Sequence, residues 1–172
     1  MKNQSPVIET ERLTLRRWRL DDAEALFKYA SDPRVTELAL WPAHTSLEMS
    51  RDVLRDIFIP NPDSFAMVLK SEGAPVGCIG LVPRGGEHHT LGADEREVGY
   101  WIGYPHWGKG LTTEALTALI DYCRATLGLR YLLITIDIRN GASGRVAEKC
   151  GFRFVEDYEY DGIPGRAYRL AL

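Results

Sequence analysis

The sequence predicts an α/β (α+β) fold in which helices flank a mixed central sheet of about seven strands. The main evidence is a run of three patterns in the second half of the chain. Residues 97–103 have the aromatic and β-branched content of a strand, and a glycine turn with a long amphipathic helix follows them. Residues 131–138 are then almost continuously apolar, as expected for a strand buried on both faces. Strand, helix and strand together make a βαβ unit.

The first half of the chain predicts one strand, two helices and a hairpin. Alternating apolar side chains indicate the first strand, and an acidic pair and a serine stand where helix caps are expected. A Glu-Gly-Ala-Pro turn separates two further strands. The predicted elements are a strand at 12–18, a helix to about residue 30 capped by Asp21 and Asp22, a helix at 46–58 capped by Ser46, and strands at 65–69 and 76–82.

The rest of the chain predicts a polar loop, the long helix, a short helix and a final strand pair. Leu111 begins the long helix, and Gly128 ends it. The other segments are the loop at 85–94, the short helix at 142–150, the strands at 152–160 and 166–170, and the turn at 161–165. This order implies four helices and a mixed sheet whose front half is antiparallel.

Composition and charge predict one domain over residues 1–172. Hydrophobic residues make up 45% of the chain, which is enough for a core. The net charge of −3 gives no basic excess, so neither nucleic acid nor a membrane is an expected partner. No apolar run reaches 18 residues, and the three cysteines have no paired or metal-like spacing. We therefore expect a cytoplasmic protein without a metal site.

The glycine turn at 107–113 has the character of a site for a phosphorylated ligand. Its glycines allow a tight turn and a close approach of the backbone to the ligand. The first turn of the following helix leaves its N–H groups without internal partners, and the helix dipole favours negative charge there. A diphosphate suits both properties. A P-loop or a dinucleotide fingerprint is the alternative, but the spacing of neither motif occurs.

Two motifs resemble those of the GCN5-related N-acetyltransferases, abbreviated GNAT. One is Trp-Gly-Lys-Gly-Leu-Thr-Thr-Glu-Ala at 107–115, and the other is Asn-x-x-Ser at 140–143 with Gly-Phe at 151–152. The order of elements also resembles the GNAT fold over nearly the whole chain. Residues 9–16, Glu-Thr-Glu-Arg-Leu-Thr-Leu-Arg, resemble the opening of the branch that contains the bacterial ribosomal-protein alanine N-acetyltransferases. That branch also holds enzymes that act on other amines.

The resemblance implies an acetyl-CoA site. The family signature has a polar residue where this chain has Trp107, and glycine or alanine where it has Thr112. Backbone N–H groups make the main contribution to phosphate binding in this loop, and residue identity barely alters them. A strand backbone and an asparagine hold the pantetheine arm. The implied acetyl-CoA ligands are Tyr100, Trp101, Ile102, Trp107, Gly108, Lys109, Gly110, Leu111, Thr112, Thr113, Asn140 and Ser143.

Glu97 and Ser143 are the predicted catalytic residues. Alternation along the strand places Glu97 on one face with Gly99 and Trp101, where its carboxylate could take the proton of an acceptor amine directly or through water. The alternative is a solvated glutamate near a strand start. Ser143 is the nearest replacement for the tyrosine acid of many family members, because position 147 is alanine. The alternative for Ser143 is to cap the short helix that it begins.

The acceptor is expected to be an amine, and the sequence leaves its class open. At pH 7 about one α-amine in seven is neutral, against about one lysine in 2,500. A protein N-terminus therefore depends less than a lysine on a general base to remove its proton. A polyamine or an aminoglycoside is the alternative, favoured by carboxylates such as Glu87 and Asp94 on the predicted rim. A CoA-binding module without catalysis is a further alternative, because the tyrosine acid is missing. An exposed strand edge near the C-terminus also allows a homodimer.

The acceptor pocket is expected between the segment 40–44 and the final hairpin, with Tyr158, Tyr160 and Arg166 as candidates. Trp41 fits a packing role better than a substrate platform. No His or Lys neighbour in the sequence indicates an activated thiolate at Cys150, so a cysteine nucleophile is not expected. Ordinary surface or turn positions are expected for His44, His88, His89 and His106.

Overall fold

A mixed sheet of eight strands forms the middle layer of the structure, which is a computed structural model that describes residues 6–172. The strands are β1 (Ile8–Glu9), β2 (Leu13–Arg17), β3 (Ser64–Leu69), β4 (Ala74–Leu81), β5 (Glu95–Ile102), β6 (Tyr131–Asp137), β7 (Arg153–Tyr160) and β8 (Ile163–Ala171). Their spatial order is β1-β2-β3-β4-β5-β6-β8-β7. Every neighbouring pair is antiparallel except β5 and β6, which are parallel.

Five helices cover the two faces of the sheet over the described residues. They are α1 (Ala23–Ala30), α2 (Pro33–Thr36), α3 (Leu47–Val53), α4 (Leu111–Tyr122) and α5 (Gly141–Lys149). α3 and α4 each continue as one wider π-helical turn, at Leu54–Phe58 and Cys123–Leu127. The larger core lies beneath α4 and α5, and a second core around Trp18 and Leu26 lies beneath α1 and α3. None of the helices found over residues 6–172 is long and apolar enough to cross a membrane.

Local capping chemistry sets several helix boundaries. Ser46 accepts a hydrogen bond from a backbone N–H of the first turn and begins α3, as predicted. Gly128, in the left-handed region, ends the long helix, also as predicted. Asp32 caps α2 in the same way, with Pro33 in the first helical position. From the sequence, Asp32 and Pro33 predict the end of the first helix but not the start of α2. In the structure, the same two residues begin α2.

The structure confirms the predicted fold class and adds short elements to it. The two-residue strand β1 and the four-residue helix α2 bring the counts to eight strands and five helices over the described residues. The final hairpin turns through Asp161 and Gly162, both with positive φ, so the predicted turn at 161–165 is too long. β8 is the inner strand of that hairpin and β7 lies at the sheet edge. A homodimer across this edge stays a prediction.

The parallel pair β5 and β6 separates part-way along its length. Val98 and Ile134 are the last residues paired between the two strands. Beyond them, β5 pairs only with β4, and β6 pairs only with β8. The backbone of residues 99–102 is therefore free on the side that faces residues 135–137. A slot opens through the sheet at this point.

Candidate active site

A cavity of about 390 Å³ occupies the slot between β5 and β6. Its wall is largely apolar, with few polar groups directed to one place, which is the usual form of a small-molecule site. The larger aromatic and aliphatic side chains on the wall include Leu38, Trp41, Phe58, Trp101, Tyr158 and Tyr160. Polar side chains on the wall include His44, His88, Glu97, Thr135, Asp137, Asn140 and Ser143.

Glu97 lines this cavity from β5 and is 2% exposed. Gly99 and Trp101 follow it at two-residue intervals and line the same cavity, which agrees with the predicted face. Trp101 packs against the core beneath α1 and α3, so this face of β5 looks toward those helices. The alternative of a solvated glutamate is wrong, because the carboxylate lies inside the fold.

Hydrogen bonds from two other segments hold the Glu97 carboxylate. The Thr135 hydroxyl of β6 donates to Oε1 at 2.5 Å. The backbone N–H of His88 donates to Oε2 at 2.8 Å, and its ring Nδ1 lies 2.9 Å from Oε1. The bond to Glu97 raises the pKa of His88 by favouring the imidazolium, and burial opposes this change without cancelling it. A side chain from the predicted polar loop thus enters the cavity wall.

The expectation of a surface position is wrong for two of the histidines, although both lie in turn or connecting segments as expected. His44 and His106 are buried. Nδ1 of His44 lies 2.8 Å from the Ser50 hydroxyl, and Nε2 of His106 lies 3.1 Å from the Tyr29 hydroxyl. Burial lowers the pKa of both imidazoles because it disfavours the charged form. Helical and strand periodicity did not indicate these contacts, because both histidines lie in connecting segments.

Asn140 caps α5, and its side-chain oxygen accepts a hydrogen bond from the N–H of Ser143 at 3.2 Å. The helix begins at Gly141, so the alternative in which Ser143 caps it is wrong. The carbonyl of Ser143 accepts a hydrogen bond from the Tyr100 hydroxyl at 2.8 Å, which joins α5 to β5. Asn140 and Ser143 both line the cavity. Ser143 therefore lies beside the slot, and its hydroxyl has no capping role.

The turn at 107–113 has a geometry that suits anion binding. Gly108 and Gly110 have φ of 70° and 75°, a region that glycine adopts without strain. Gly110 occupies the cap position of α4, and no side chain caps the helix there. The N–H groups of the first turn therefore remain for a ligand. A Cβ at Gly108 would meet nothing within 4 Å, so the loop is open on its outer side, and these features fit a diphosphate.

Trp107 links the end of β5 to this loop by a hydrogen bond and an aromatic contact. Its indole N–H donates to the Ile102 carbonyl at 2.9 Å, and its ring packs against Tyr104 with the centroids 5.0 Å apart. The guanidinium of Arg34 lies 3.7 Å from the centre of the Tyr104 ring. An aromatic residue can thus hold the loop where the family has a polar one.

Arg12 and Glu114 brace the loop from the start of the chain. Arg12 donates from Nη1 to the Lys109 carbonyl at 2.8 Å and from Nε to Glu114 at 2.7 Å. The Thr10 hydroxyl donates to the same carboxylate at 2.6 Å. No local pattern in the sequence predicts these contacts, because the residues that form them lie about a hundred positions apart.

Comparison with known proteins agrees with this geometry. Residues 12–153 match the family model described as acetyltransferase (GNAT) domain. The chain belongs to the GNAT family. It is 31% identical to the uncharacterized N-acetyltransferase p20 of Bacillus licheniformis, over 87% of this chain and 85% of that protein. The resemblance in fold and motif is therefore confirmed, and this GNAT protein is an acetyl-CoA-dependent acetyltransferase.

Two further comparisons concern the fold and a shorter stretch of the sequence of this GNAT enzyme. The crystal structure of a GNAT-family acetyltransferase from Bacillus anthracis superposes with a TM-score of 0.82 at 23% identity, over 96% of this chain and 98% of that one. That likeness shows the fold. The ribosomal-protein-serine acetyltransferase of Escherichia coli is 38% identical over 56 residues, which are 33% of this chain and 31% of that protein.

The acceptor side of the GNAT enzyme differs in part from expectation. Leu40, Trp41 and His44 line the cavity, as do Tyr158 and Tyr160. Trp41 also packs on Trp101 with the ring centroids 5.5 Å apart, so it has both a packing and a wall position. Three candidates do not line the cavity. Arg166 pairs with Asp157, Glu87 accepts the N–H of Gly85, and Asp94 lies beside Arg130.

Glu97 and Asp137 are the carboxylates on the cavity wall among the described residues. Asp137 forms a two-pronged ion pair with Arg139, with Nη2 2.6 Å from Oδ2. Hydrogen bonds from Arg139 hold the pKa of Asp137 below its usual range, although burial acts in the opposite direction. Neither carboxylate is therefore without a partner before a substrate enters.

Two of the cysteines, Cys78 and Cys123, are buried packing residues, and Cys150 is half-buried. Cys78 lines the cavity, and burial raises its pKa to about 11. Burial likewise raises the pKa of Cys123 to about 12, and the pKa of Cys150 above its ordinary value. A thiol with a raised pKa is a poor nucleophile near neutral pH. Direct transfer thus fits this site better than a cysteine acyl intermediate.

Proposed function

We propose that this enzyme transfers the acetyl group of acetyl-CoA to a free α-amine at a protein or peptide N-terminus, directly and within a ternary complex. The observation that carries this proposal is the charge of the cavity wall. Glu97 is engaged by His88 and Thr135, and Asp137 is engaged by Arg139. The remaining wall is mostly apolar and aromatic. A single amine at the end of an extended chain suits such a wall.

A polyamine or an aminoglycoside suits this mostly apolar cavity wall less well. Such a molecule carries several ammonium groups, and each loses hydration in an apolar cavity unless a carboxylate replaces the water. Glu87 and Asp94, the carboxylates that favoured this alternative, are not part of the wall. The α-amine of a protein is also neutral more often than a lysine at pH 7, by a factor of roughly 350.

The partial match to the ribosomal-protein-serine acetyltransferase of Escherichia coli supports a protein acceptor. It covers about a third of either chain. Within that limit, it supports the choice of a protein N-terminus over a small amine.

The proposal assigns roles to the residues around the slot. Acetyl-CoA supplies the activated acetyl thioester. The loop at 107–113 binds its diphosphate through backbone N–H groups, and Asn140 and the open strand edge at 100–102 bind the pantetheine arm. Glu97 supplies negative charge where the amine loses its proton. Ser143 gives a proton to the departing thiolate.

Mass spectrometry of a mixed acceptor panel tests this function. The panel holds peptides with free Ala, Ser or Met N-termini, polyamines, aminoglycosides, and one matched peptide with a blocked N-terminus and an internal lysine. We expect acetylation of the free α-amines, with the blocked peptide unmodified. Product on lysine or on the small amines alone would contradict the α-amine proposal. CoA binding without any acetylated product would instead favour a non-catalytic module.

A further inference from the structure

His88 is held at the cavity wall by several contacts at once. Its backbone N–H and its ring Nδ1 both bind the carboxylate of Glu97, at 2.8 and 2.9 Å. Thr135 fixes the other side of that carboxylate. The ring of Tyr160 from β7 meets the imidazole edge to face, with centroids 5.0 Å apart. These contacts leave the imidazole little freedom to rotate, although its loop has no regular secondary structure.

The same contacts determine which ring nitrogen of His88 can accept a proton. The backbone N–H and the Thr135 hydroxyl both donate to Glu97, as they would to an ionised carboxylate. An ionised carboxylate only accepts hydrogen bonds, so a neutral imidazole must carry its hydrogen on Nδ1. Nε2 then holds the free lone pair. Within residues 6–172, Nε2 of His88 makes no hydrogen bond.

Solvent exposure distinguishes the side chain of His88 from that of Glu97. The side chain of His88 is 37% exposed, whereas that of Glu97 is 2% exposed. Both line the same cavity, to which Ser143 also contributes. A base must come within hydrogen-bond reach of the proton that it takes. Glu97 already accepts three hydrogen bonds within the fold, and His88 has a free nitrogen and room for a partner.

We propose that Nε2 of His88 is the atom that accepts the proton of the acceptor amine, and that Glu97 is the positioning residue that orients His88. This inference rests on the acetyltransferase function proposed above and replaces direct proton transfer to Glu97. It adds to the site a loop histidine that no motif in the sequence marks. The arrangement resembles a catalytic triad in which a carboxylate orients a histidine base. Here the amine of the substrate takes the place of the serine nucleophile.

The proton and electron balance of this step is complete. A bond forms between the amine nitrogen and the acetyl carbon, and the carbon–sulfur bond breaks with its electron pair leaving on sulfur. Nε2 takes the proton that the amine nitrogen loses. Ser143 gives a proton to the thiolate and recovers one from water. The products are the amide and the free thiol, with His88 returning its proton to solvent.

The groups around the imidazole suit a base that works near neutral pH. Glu97 on β5 faces Nδ1 and stabilises the imidazolium, and the uncharged ring of Tyr160 on β7 faces the ring edge. Tyr158, also on β7, lies beside Glu97, and burial raises the pKa of that tyrosine. His89 is turned toward Glu156 instead. One negative charge therefore acts on His88 directly.

The decisive experiment compares His88→Ala with His89→Ala, the neighbouring histidine, which lies outside the cavity wall. We expect kcat/KM for a free N-terminal peptide at pH 7 to fall roughly 10²-fold in His88→Ala, the lower end for a general base. His89→Ala should stay within about twofold of the parent enzyme. Exogenous imidazole should restore part of the activity of His88→Ala only, because a small base can enter the vacated space.

A second measurement judges the Glu97–His88 pair without any acceptor. NMR titration should give an imidazole pKa for His88 above 6.5 in the parent protein and a lower one in Glu97→Gln. In separate kinetics with the peptide acceptor, the rise of kcat/KM with pH should move to lower pH in Glu97→Gln. CoA affinity, measured by calorimetry, should be unchanged in His88→Ala and in Glu97→Gln.

Several outcomes would overturn the inference. Full activity in His88→Ala, or a loss that imidazole cannot rescue, would remove His88 as the base. An unchanged His88 pKa in Glu97→Gln would remove the pair. A parent enzyme that acetylates no amine would contradict the proposed function instead, and the titration would still report on the pair.

Discussion

At the scale of single residues, Asn140 and Ser143 show how one motif divides its work. The side chain of Asn140 satisfies the N–H of Ser143 in the first turn of α5. The Ser143 hydroxyl is therefore not needed for the helix. Ala147, where many relatives have a tyrosine, is fully buried in the core beneath α5. Ala147 has no proton to give to a thiolate, and the proposed donor, Ser143, lies about one turn nearer the helix start.

This division predicts different effects for two substitutions one turn apart. Asn140→Ala should lower the free energy of unfolding by about 1 kcal/mol, since it removes a helix cap. Asn140→Asp, which keeps an acceptor oxygen, should retain most of that stability. Ser143→Ala should leave the unfolding free energy nearly unchanged and lower kcat. Urea denaturation and steady-state kinetics measure both. Equal destabilisation by Asn140→Ala and Ser143→Ala would contradict the assigned cap.

At the scale of elements, the loop before α4 needs a glycine with positive φ, and a distant arginine holds it in place. Gly110 has a positive φ at the helix start, and its loop carries no side-chain cap. Arg12 holds the Lys109 carbonyl from the far edge of the sheet. The donors of the first helical turn are thus positioned before any ligand binds. Such preorganisation reduces the ordering cost of binding.

Gly110→Ala should affect both folding and ligand binding. An alanine in the left-handed region costs about 1–2 kcal/mol, and its Cβ would lie on a loop that must approach the diphosphate closely. We expect CoA affinity to fall roughly tenfold, equivalent to about 1.4 kcal/mol. Gly73→Ala is the matched control, because Gly73 has φ of 70° in the β3–β4 turn and open space around it. Calorimetry with CoA should show no change for that variant. Equal CoA affinity for the parent and Gly110→Ala would refute the phosphate-loop assignment.

At the scale of the whole molecule, ionised carboxylates join segments that are distant in sequence. Glu114 on α4 accepts hydrogen bonds from Thr10 and Arg12 near the start of the chain. Burial raises its pKa, but these hydrogen bonds lower it more, so the net change is downward. A carboxyl whose folded pKa is depressed stabilises the fold above its unfolded pKa. That contribution disappears as the pH falls through the folded pKa.

Stability should therefore decline as the pH falls below about 4.5, the ordinary value for a glutamate. Glu114→Gln should make this pH dependence shallower, since it removes the carboxyl whose folded pKa is depressed. Glu48→Gln removes an exposed pair with Arg51 and should change little. Urea midpoints between about pH 7 and pH 3 measure the difference. Identical pH profiles for the parent and Glu114→Gln would show that the brace does not stabilise the fold.

Much of this molecule follows from local chemistry that the sequence displays. The hydrophobic period of α4, the cap at Ser46 and the stop at Gly128 each depend on residues within a few positions of one another. The same holds for the glycines of the turn at 107–113, because the positive φ of Gly108 and Gly110 is a local requirement that glycine meets without strain. These patterns predict the βαβ unit and, with the family resemblance, the kind of ligand.

Only the tertiary structure decided how the proposed catalytic groups meet. His88 reaches Glu97 from a loop, Thr135 reaches it from another strand, and Arg12 reaches Lys109 across the sheet. The separation of β5 and β6 beyond Val98 depends on which strands each one pairs with. Periodicity reports which face of an element is buried, but it carries no information about which distant side chain will lie opposite. That choice follows from the packing of the whole chain, and it places the proposed base in a loop that local patterns show only as polar.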